Sequence, residues 1–257
     1  MTELIRSEVH GGVATVTLDS PTNRNALSTA LIEELLGALA AAGADSAVRV
    51  IVLSHTGPVF CSGADLKETA AAAASGTMPV GRLGAVLEAM WECPKPVLAR
   101  VGGPARAGGL GLIAAADIAV CTREATFAFS EVRIGVIPAV ISAAVLRRLS
   151  PRAATELYLT GDVFDGTRAA EIDLVTVAVP AVDLDAAVAR FTASLVRGAP
   201  GALTGAKELL HRVRPAAFRD DVSALTETSV AYFGSAEGRE GVAAFREKRD
   251  ASWIPTA

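Results

Sequence analysis

Apolar positions along the chain change their period several times, and each change marks an element. Leu4 to Val9 and Val13 to Leu18 alternate as strands do around a His10-Gly11-Gly12 turn, which predicts an opening hairpin. Asp19 to Asn25 (DSPTNRN) is loop chemistry, and Ser28 suits the N-cap of a helix through Ala42. Leu31, Ile32, Leu35, Leu36 and Leu39 form the apolar face of that helix. Val48 to Ser54 is a short buried strand, closed by Gly57-Pro58. Leu83 to Trp91 is helical, and Cys93-Pro94-Lys95-Pro96 stops it before a strand from Pro96 to Val101.

A small-residue cluster, VGGPARAGGLGLIAAAD over Val101 to Asp117, then opens an alanine-rich helix at Gly108-Gly109. Ile118 to Cys121 and Thr126 to Phe129 are further strands, and Ser130 to Pro138 is a loop. Ala139 to Leu149 and Pro151 to Gly161 are helices, and Val175 to Val179 is a last short strand. Beyond Asp183 the pattern is helical: Leu184 to Arg197, Gly201 to Val213, Ala217 to Phe233 and Glu237 to Arg249. Strand and helix alternate without the spacing of a doubly wound sheet, so the class is α/β. A shift in composition divides a core over 1–195 from a helical region over 196–257, with no linker and no internal repeat.

Composition narrows the partners. The 257 residues are 51% apolar with a mean hydropathy of +0.40, and the net charge is −4. That balance excludes nucleic acid and an anionic membrane surface as expected partners. Asp117 interrupts the best apolar run, and MTELIRSEVHGG has no secretory core, so a cytoplasmic protein is expected. The surplus of apolar residues implies burial between subunits. Cys61, Cys93 and Cys121 have neither pairing nor metal spacing, and His10, His55 and His211 are scattered. No metal site or serine–histidine pair is expected.

The candidate chemistry lies in two turns. A helix beginning at Gly108-Gly109 has unpaired N–H groups and a positive dipole end. Ser62-Gly63-Ala64 is a second small-residue turn, and Asp65 can cap whatever helix follows. Two backbone donors on one carbonyl oxygen make an oxyanion hole. Gly109 to Ala114 also matches G-x-G-x-x-A, with Glu131 at the spacing of a ribose-binding acid. Pro104, Ala105 and Arg106 separate that motif from its strand, which argues against a dinucleotide site. Arg106 is read as an ion-pair partner and Asp117 as the end of the helix.

VFCSGADLKE, KPVLARVGGPARAGGLGLIAAADIAV and FSEVRIGVIP, in this order, resemble the crotonase superfamily of enoyl-CoA hydratases and isomerases. TLDSPTNRNALS near the start and EGREGVAAFREKR near the end extend the resemblance over nearly the whole chain. It implies a crotonase (ClpP-like) spiral of ββα units with a C-terminal helical trimerisation region, as homotrimers or as hexamers of two trimers. It implies an acyl-CoA thioester substrate, with coenzyme A carried on the substrate and no separate cofactor. By position, Ala64 and Gly108 would bind the thioester oxygen. Ala26, Asp65, Leu66 and Lys67 would line the CoA channel, with Lys248 reaching it from the C-terminal segment, and Ala70 to Met78 would help to shape the acyl site. Asp65 as a mere cap and the two lysines as solvated charges are the alternatives.

Many hydratases of this kind carry two glutamates. Glu131 stands at one of those positions and Gly111 at the other. One carboxylate suits a proton shuttle between two carbons, as in the isomerases, and can still add water to a 2-enoyl-CoA. A catalytically silent acyl-CoA-binding protein is the reading from another class.

Overall fold

The computed structural model describes residues 3–65, 67–68, 80–212 and 218–252. The opening hairpin is as expected: β1 (Ile5–His10) and β2 (Val13–Leu18) pair antiparallel from Ile5↔Leu18 to His10↔Val13. Ala14, Val16 and Leu18 on one face of β2 are buried, which is the period-2 pattern at work. β3 (Val50–His55), β4 (Val97–Val101), β6 (Ile118–Thr122) and β9 (Val177–Val179) then add in parallel, giving the order β1-β2-β3-β4-β6-β9. β3 is apolar nearly throughout because a parallel strand inside a sheet is covered on both faces.

A second sheet is built from three very short strands, β5 (Ala105–Arg106), β7 (Thr126–Ala128) and β8 (Phe164–Asp165), in that order. β5 pairs with β7 in parallel, and β7 pairs with β8 antiparallel. Two-residue strands show no periodicity, so β5 and β8 are not predictable from pattern.

The helices cover the sheets. α1 (Thr29–Ala44) starts where Ser28 predicts, its hydroxyl accepting from the Leu31 amide. α2 (Val80–Trp91) precedes β4. α3 (Gly108–Ala115) and α4 (Ala139–Val145) are buried at every position, as helices apolar all round must be. The Ser130–Ile134 segment between β7 and α4 is a turn of 3₁₀ helix. α5 (Pro151–Thr160) is capped by Ser150 and ended by Gly161 in the left-handed region, and α6 (Gly166–Glu171) precedes β9.

Four helices follow among the described residues: α7 (Leu184–Leu195), α8 (Pro200–Arg212), α9 (Phe218–Phe233) and α10 (Ala236–Glu247). α9 closes on α2 so tightly that a β-carbon on Gly84 would meet Val222 at 2.7 Å and Thr226 at 2.9 Å. Val222, Phe233 and Val242 join the same apolar cluster as the sheet residues.

Asp117 does more than follow α3. Its carboxylate accepts from the Val97 amide at 2.8 Å and from the buried Lys207 ammonium at 2.7 Å, clamping β4 to α8. The three cysteines are free and buried. Among the described residues no helix is long and apolar enough to cross a membrane, and no cluster of His, Cys, Asp or Glu is arranged to hold a metal ion.

Candidate active site

Two short parallel strands, β5 and β7, and the Cys61 segment bridged to β5 run side by side in the same direction toward the candidate residues. Cys61 bridges to Ala105 in parallel, Ala105 pairs with Phe127, and Arg106 pairs with Ala128. Continuing each strand forward leads from Cys61 to Ala64, from Arg106 to Gly108 and from Ala128 to Glu131. Parallel strands end on the same side, so residues separated by tens of positions arrive together. The carboxyl ends of parallel strands are where α/β sheets commonly place ligands.

The first two turns are in contact. A β-carbon on Gly63, which has a φ of +90°, would lie 2.9 Å from the Ala107 methyl and 3.1 Å from the Arg106 carbonyl. A β-carbon on Gly108 would lie 3.8 Å from the Gly63 Cα and would strike Leu27 at 2.7 Å. Only residues without side chains let these two backbones approach. Ala107, the N-cap of α3, is held at φ 48° and ψ −117°, a conformation that an L-residue adopts at a cost. The Cys61 thiol accepts from the Gly63 amide, and the Cys61 carbonyl accepts from Arg106, so one residue braces both turns. Among the described residues no protein group accepts a hydrogen bond from the Ala64 or the Gly108 amide. Both donors are therefore spare beside a helix start, where the dipole favours negative charge.

Glu131 is buried at 6% exposure on the Ser130–Ile134 turn, and its Oε2 has no hydrogen-bond partner among the described residues. Burial pushes its carboxyl up to about 7, because a carboxylate there loses its hydration and no cation among the described residues replaces it. A proton-transfer group is most effective with such a value near the working pH. A solvated loop glutamate has none of these properties.

The position opposite in sequence, Gly111, is occupied by its neighbours. A β-carbon there would lie 2.6 Å from Ile141 Cγ2 and 3.4 Å from Leu87 Cδ2. Apolar side chains stand where a second carboxylate would project. Ile141 escapes a sequence reading because α4 is apolar at nearly every position, and nothing marks which side chain turns toward α3.

Ala26 and Asp65 flank the bridge between Leu27 and Ala64, which brings them beside the first turn. Ala26 is buried, in a loop held by Asn25, whose side chain accepts from Ser20 and donates to the Thr56 and Val59 carbonyls. The Asp65 carboxylate accepts from Asn23 and from the Lys67 and Glu68 amides, so it serves as the cap. These bonds outweigh burial and hold it below the usual carboxylate range, although burial is the largest single influence. Lys67 is exposed. Leu66 and the Ala70 to Met78 stretch lie outside the described residues. Lys248 is exposed at the end of α10, with its own backbone in the left-handed region.

Arg106 makes no ion pair among the described residues, contrary to expectation. Its guanidinium donates to the Ala105 and Thr126 carbonyls and to the Thr126 hydroxyl, tying β5 to β7 beneath the site. Two further polar residues near Glu131, Ser142 and Tyr158, carry no motif. Ser142 is the one polar residue of α4, which is the only trace it leaves in the sequence.

Comparison with known proteins gives a consistent result. The family model described as "Enoyl-CoA hydratase/isomerase" matches residues 8–255. A probable enoyl-CoA hydratase of Rhodobacter capsulatus is 35% identical over 251 residues, covering 95% of each chain. The hydroxycinnamoyl-CoA hydratase-lyase of Pseudomonas fluorescens is 31% identical over 217 residues, 82% of this chain and 79% of that one. The crystal structure of an enoyl-CoA hydratase from Mycobacterium avium superposes with a TM-score of 0.87 at 44% identity, covering 99% of this chain and 100% of the other.

Proposed function

The chain belongs to the enoyl-CoA hydratase/isomerase family and has the crotonase fold, and from that footing we propose that it adds water reversibly to a 2-enoyl-CoA thioester. Glu131 is the single acid and base. The observation that carries this reading is the buried Glu131 carboxyl, whose Oε2 has no hydrogen-bond partner among the described residues, on the turn that follows β7 beside two spare amides.

Water's oxygen attacks C3 of the conjugated thioester while the Glu131 carboxylate takes one of its protons. The C2–C3 π pair moves toward the carbonyl, and the thioester oxygen becomes negative. The Ala64 and Gly108 N–H groups hold that charge. Loss of one such donor commonly costs on the order of a hundredfold or more in rate. The Glu131 acid then returns its proton to C2, which restores the carboxylate and completes the 3-hydroxyacyl thioester. Coenzyme A enters as part of the substrate, passing Ala26, Asp65, Leu66, Lys67 and Lys248, and no further cofactor takes part. Leu27, Leu83, Leu87 and Ile141 offer an apolar wall for the acyl group.

A second reading, transfer of the double bond from C3 to C2, is favoured by one observation. The space at Gly111 is filled by Ile141 and Leu87, so position 111 gives Glu131 no second carboxylate to share in holding water. In that case Glu131 takes a proton from C2 and returns it to C4.

Homotrimers, or hexamers of two trimers, belong to the same proposal. Exposed Leu146, Leu159, Leu209 and Leu210 support it, and light scattering of the purified protein tests it. The reaction itself is tested with 2-enoyl-CoA and 3-enoyl-CoA of graded chain length, followed through the absorbance of the conjugated thioester. Loss from the first substrate means hydration, gain from the second means isomerisation, and neither at any length refutes both.

A further inference from the structure

Two hydroxyls, those of Ser142 and Tyr158, meet beside the turn that carries Glu131, and their protons have a definite order. Ser142 Oγ lies 2.6 Å from the Pro138 carbonyl, which can only accept, so the single serine proton is spent there. Tyr158 Oη lies 3.1 Å from Ser142 Oγ and must then be the donor in that contact. The tyrosine hydroxyl is left with lone pairs alone.

Its ring is fixed against Phe129, two residues before Glu131, at a centroid separation of 4.7 Å. α5, which carries Tyr158, is tied to the same turn where Arg133 donates to the Thr160 carbonyl at 3.2 Å. Burial raises the Tyr158 phenol well above its ordinary value, and the nearby Glu131 charge adds to the effect.

Other charged groups around the turn are engaged elsewhere. Arg133 on the turn faces outward to Asp162 at 2.5 Å. α10 meets the turn at Gly241, its buried face is Gly238, Gly241, Val242 and Ala244, and its Glu240 pairs with Arg249. Ser142 is the polar contribution of α4.

We propose that Tyr158, oriented by Ser142, is a positioning residue for Glu131: an acceptor-only hydroxyl on the helix packed against the Glu131 turn, which favours the protonated acid. The hydroxyl works through Glu131 and touches no reacting atom. The inference rests on the assignment of Glu131 as acid and base.

Substitution then has a definite sign. Tyr158→Phe removes the acceptor, so the Glu131 inflection in the pH dependence of kcat/KM falls by roughly half a unit, about threefold in the proton-binding constant. Ser142→Ala frees the tyrosine proton to turn toward the carboxylate, and the inflection falls further. Ser142→Thr retains a hydroxyl and keeps the wild-type inflection.

The experiment follows two signals across pH: kcat/KM, and the infrared band of the protonated carboxyl, assigned to Glu131 by its loss in Glu131→Gln. Downward shifts in both signals for Tyr158→Phe and Ser142→Ala support the proposal. Unchanged or raised midpoints in the folded variants overturn it, even where Glu131→Gln is inactive and the acid–base assignment stands. Should Tyr158→Phe fail to fold, Ser142→Ala decides alone. An active Glu131→Gln refutes the assignment of Glu131 instead, whatever the hydroxyls do.

Discussion

Ile141 stands over Gly111, with its Cγ2 2.6 Å from where a β-carbon of residue 111 would begin. Gly111→Glu therefore needs room that Ile141 holds and buries a charge with no cation beside it. The single variant should lose on the order of 3 kcal/mol or more. Gly111→Glu/Ile141→Ala should recover part of that loss, with a favourable coupling of about 1 kcal/mol or more in a double-mutant cycle of urea unfolding. Additive losses would mean that Ile141 is not what excludes a carboxylate.

Glu131 ties stability to pH. Its folded value, about 7, lies above the ordinary 4.5, so the folded state holds the proton more tightly than the unfolded chain. The corresponding stability is fully present below about pH 4.5 and is lost as pH rises through about 7. Glu131→Gln stays neutral throughout. It should gain on the wild type by a few kcal/mol between pH 5 and pH 8, an order-of-magnitude figure from linkage. Parallel pH–stability curves for the two proteins would contradict the buried-acid picture.

Ala107 carries the strain of the turn before α3. Glycine tolerates a φ of 48° with a ψ of −117° without the steric cost to alanine. Against this, glycine loses more backbone entropy on folding. Ala107→Gly should come out ahead by about 1 kcal/mol, seen as a melting temperature a few degrees higher. A lower melting temperature would show that the alanine is not strained there.

The Asp117–Lys207 pair joins β4 to the C-terminal helices. With Lys207 at 7% side-chain exposure and Asp117 at 22%, removing the lysine leaves a carboxylate only partly reached by water. Lys207→Met should cost about 3 kcal/mol, and Asp117→Asn/Lys207→Met less than the sum of the two singles. Urea midpoints check both expectations.

What was legible in the sequence followed from local chemistry. Ser28, Pro151 and Gly161 mark helix ends through their own hydrogen bonds or backbone preference, and the structure places the ends there. Gly63 and Gly108 marked two small-residue turns, and the structure brings those two backbones close together. Side-chain partners across long separations left no such trace. Arg106 ends on carbonyls rather than a carboxylate because β7 packs beside it, and Asp117 finds Lys207 ninety residues away. Ser142 and Ile141 sit side by side on α4, and only the packing against α3 and α5 tells which of them faces Gly111 and which meets Tyr158.

Glu131→Gln measures the central claim most directly. The substitution keeps the size and burial of the side chain while removing its ability to carry a proton back and forth. Steady-state kinetics on the better of the 2-enoyl-CoA and 3-enoyl-CoA substrates should show kcat reduced by roughly a thousandfold, with KM within a few-fold of wild type and the fold intact. A folded Glu131→Gln protein that turns over substrate at the wild-type kcat would contradict the account.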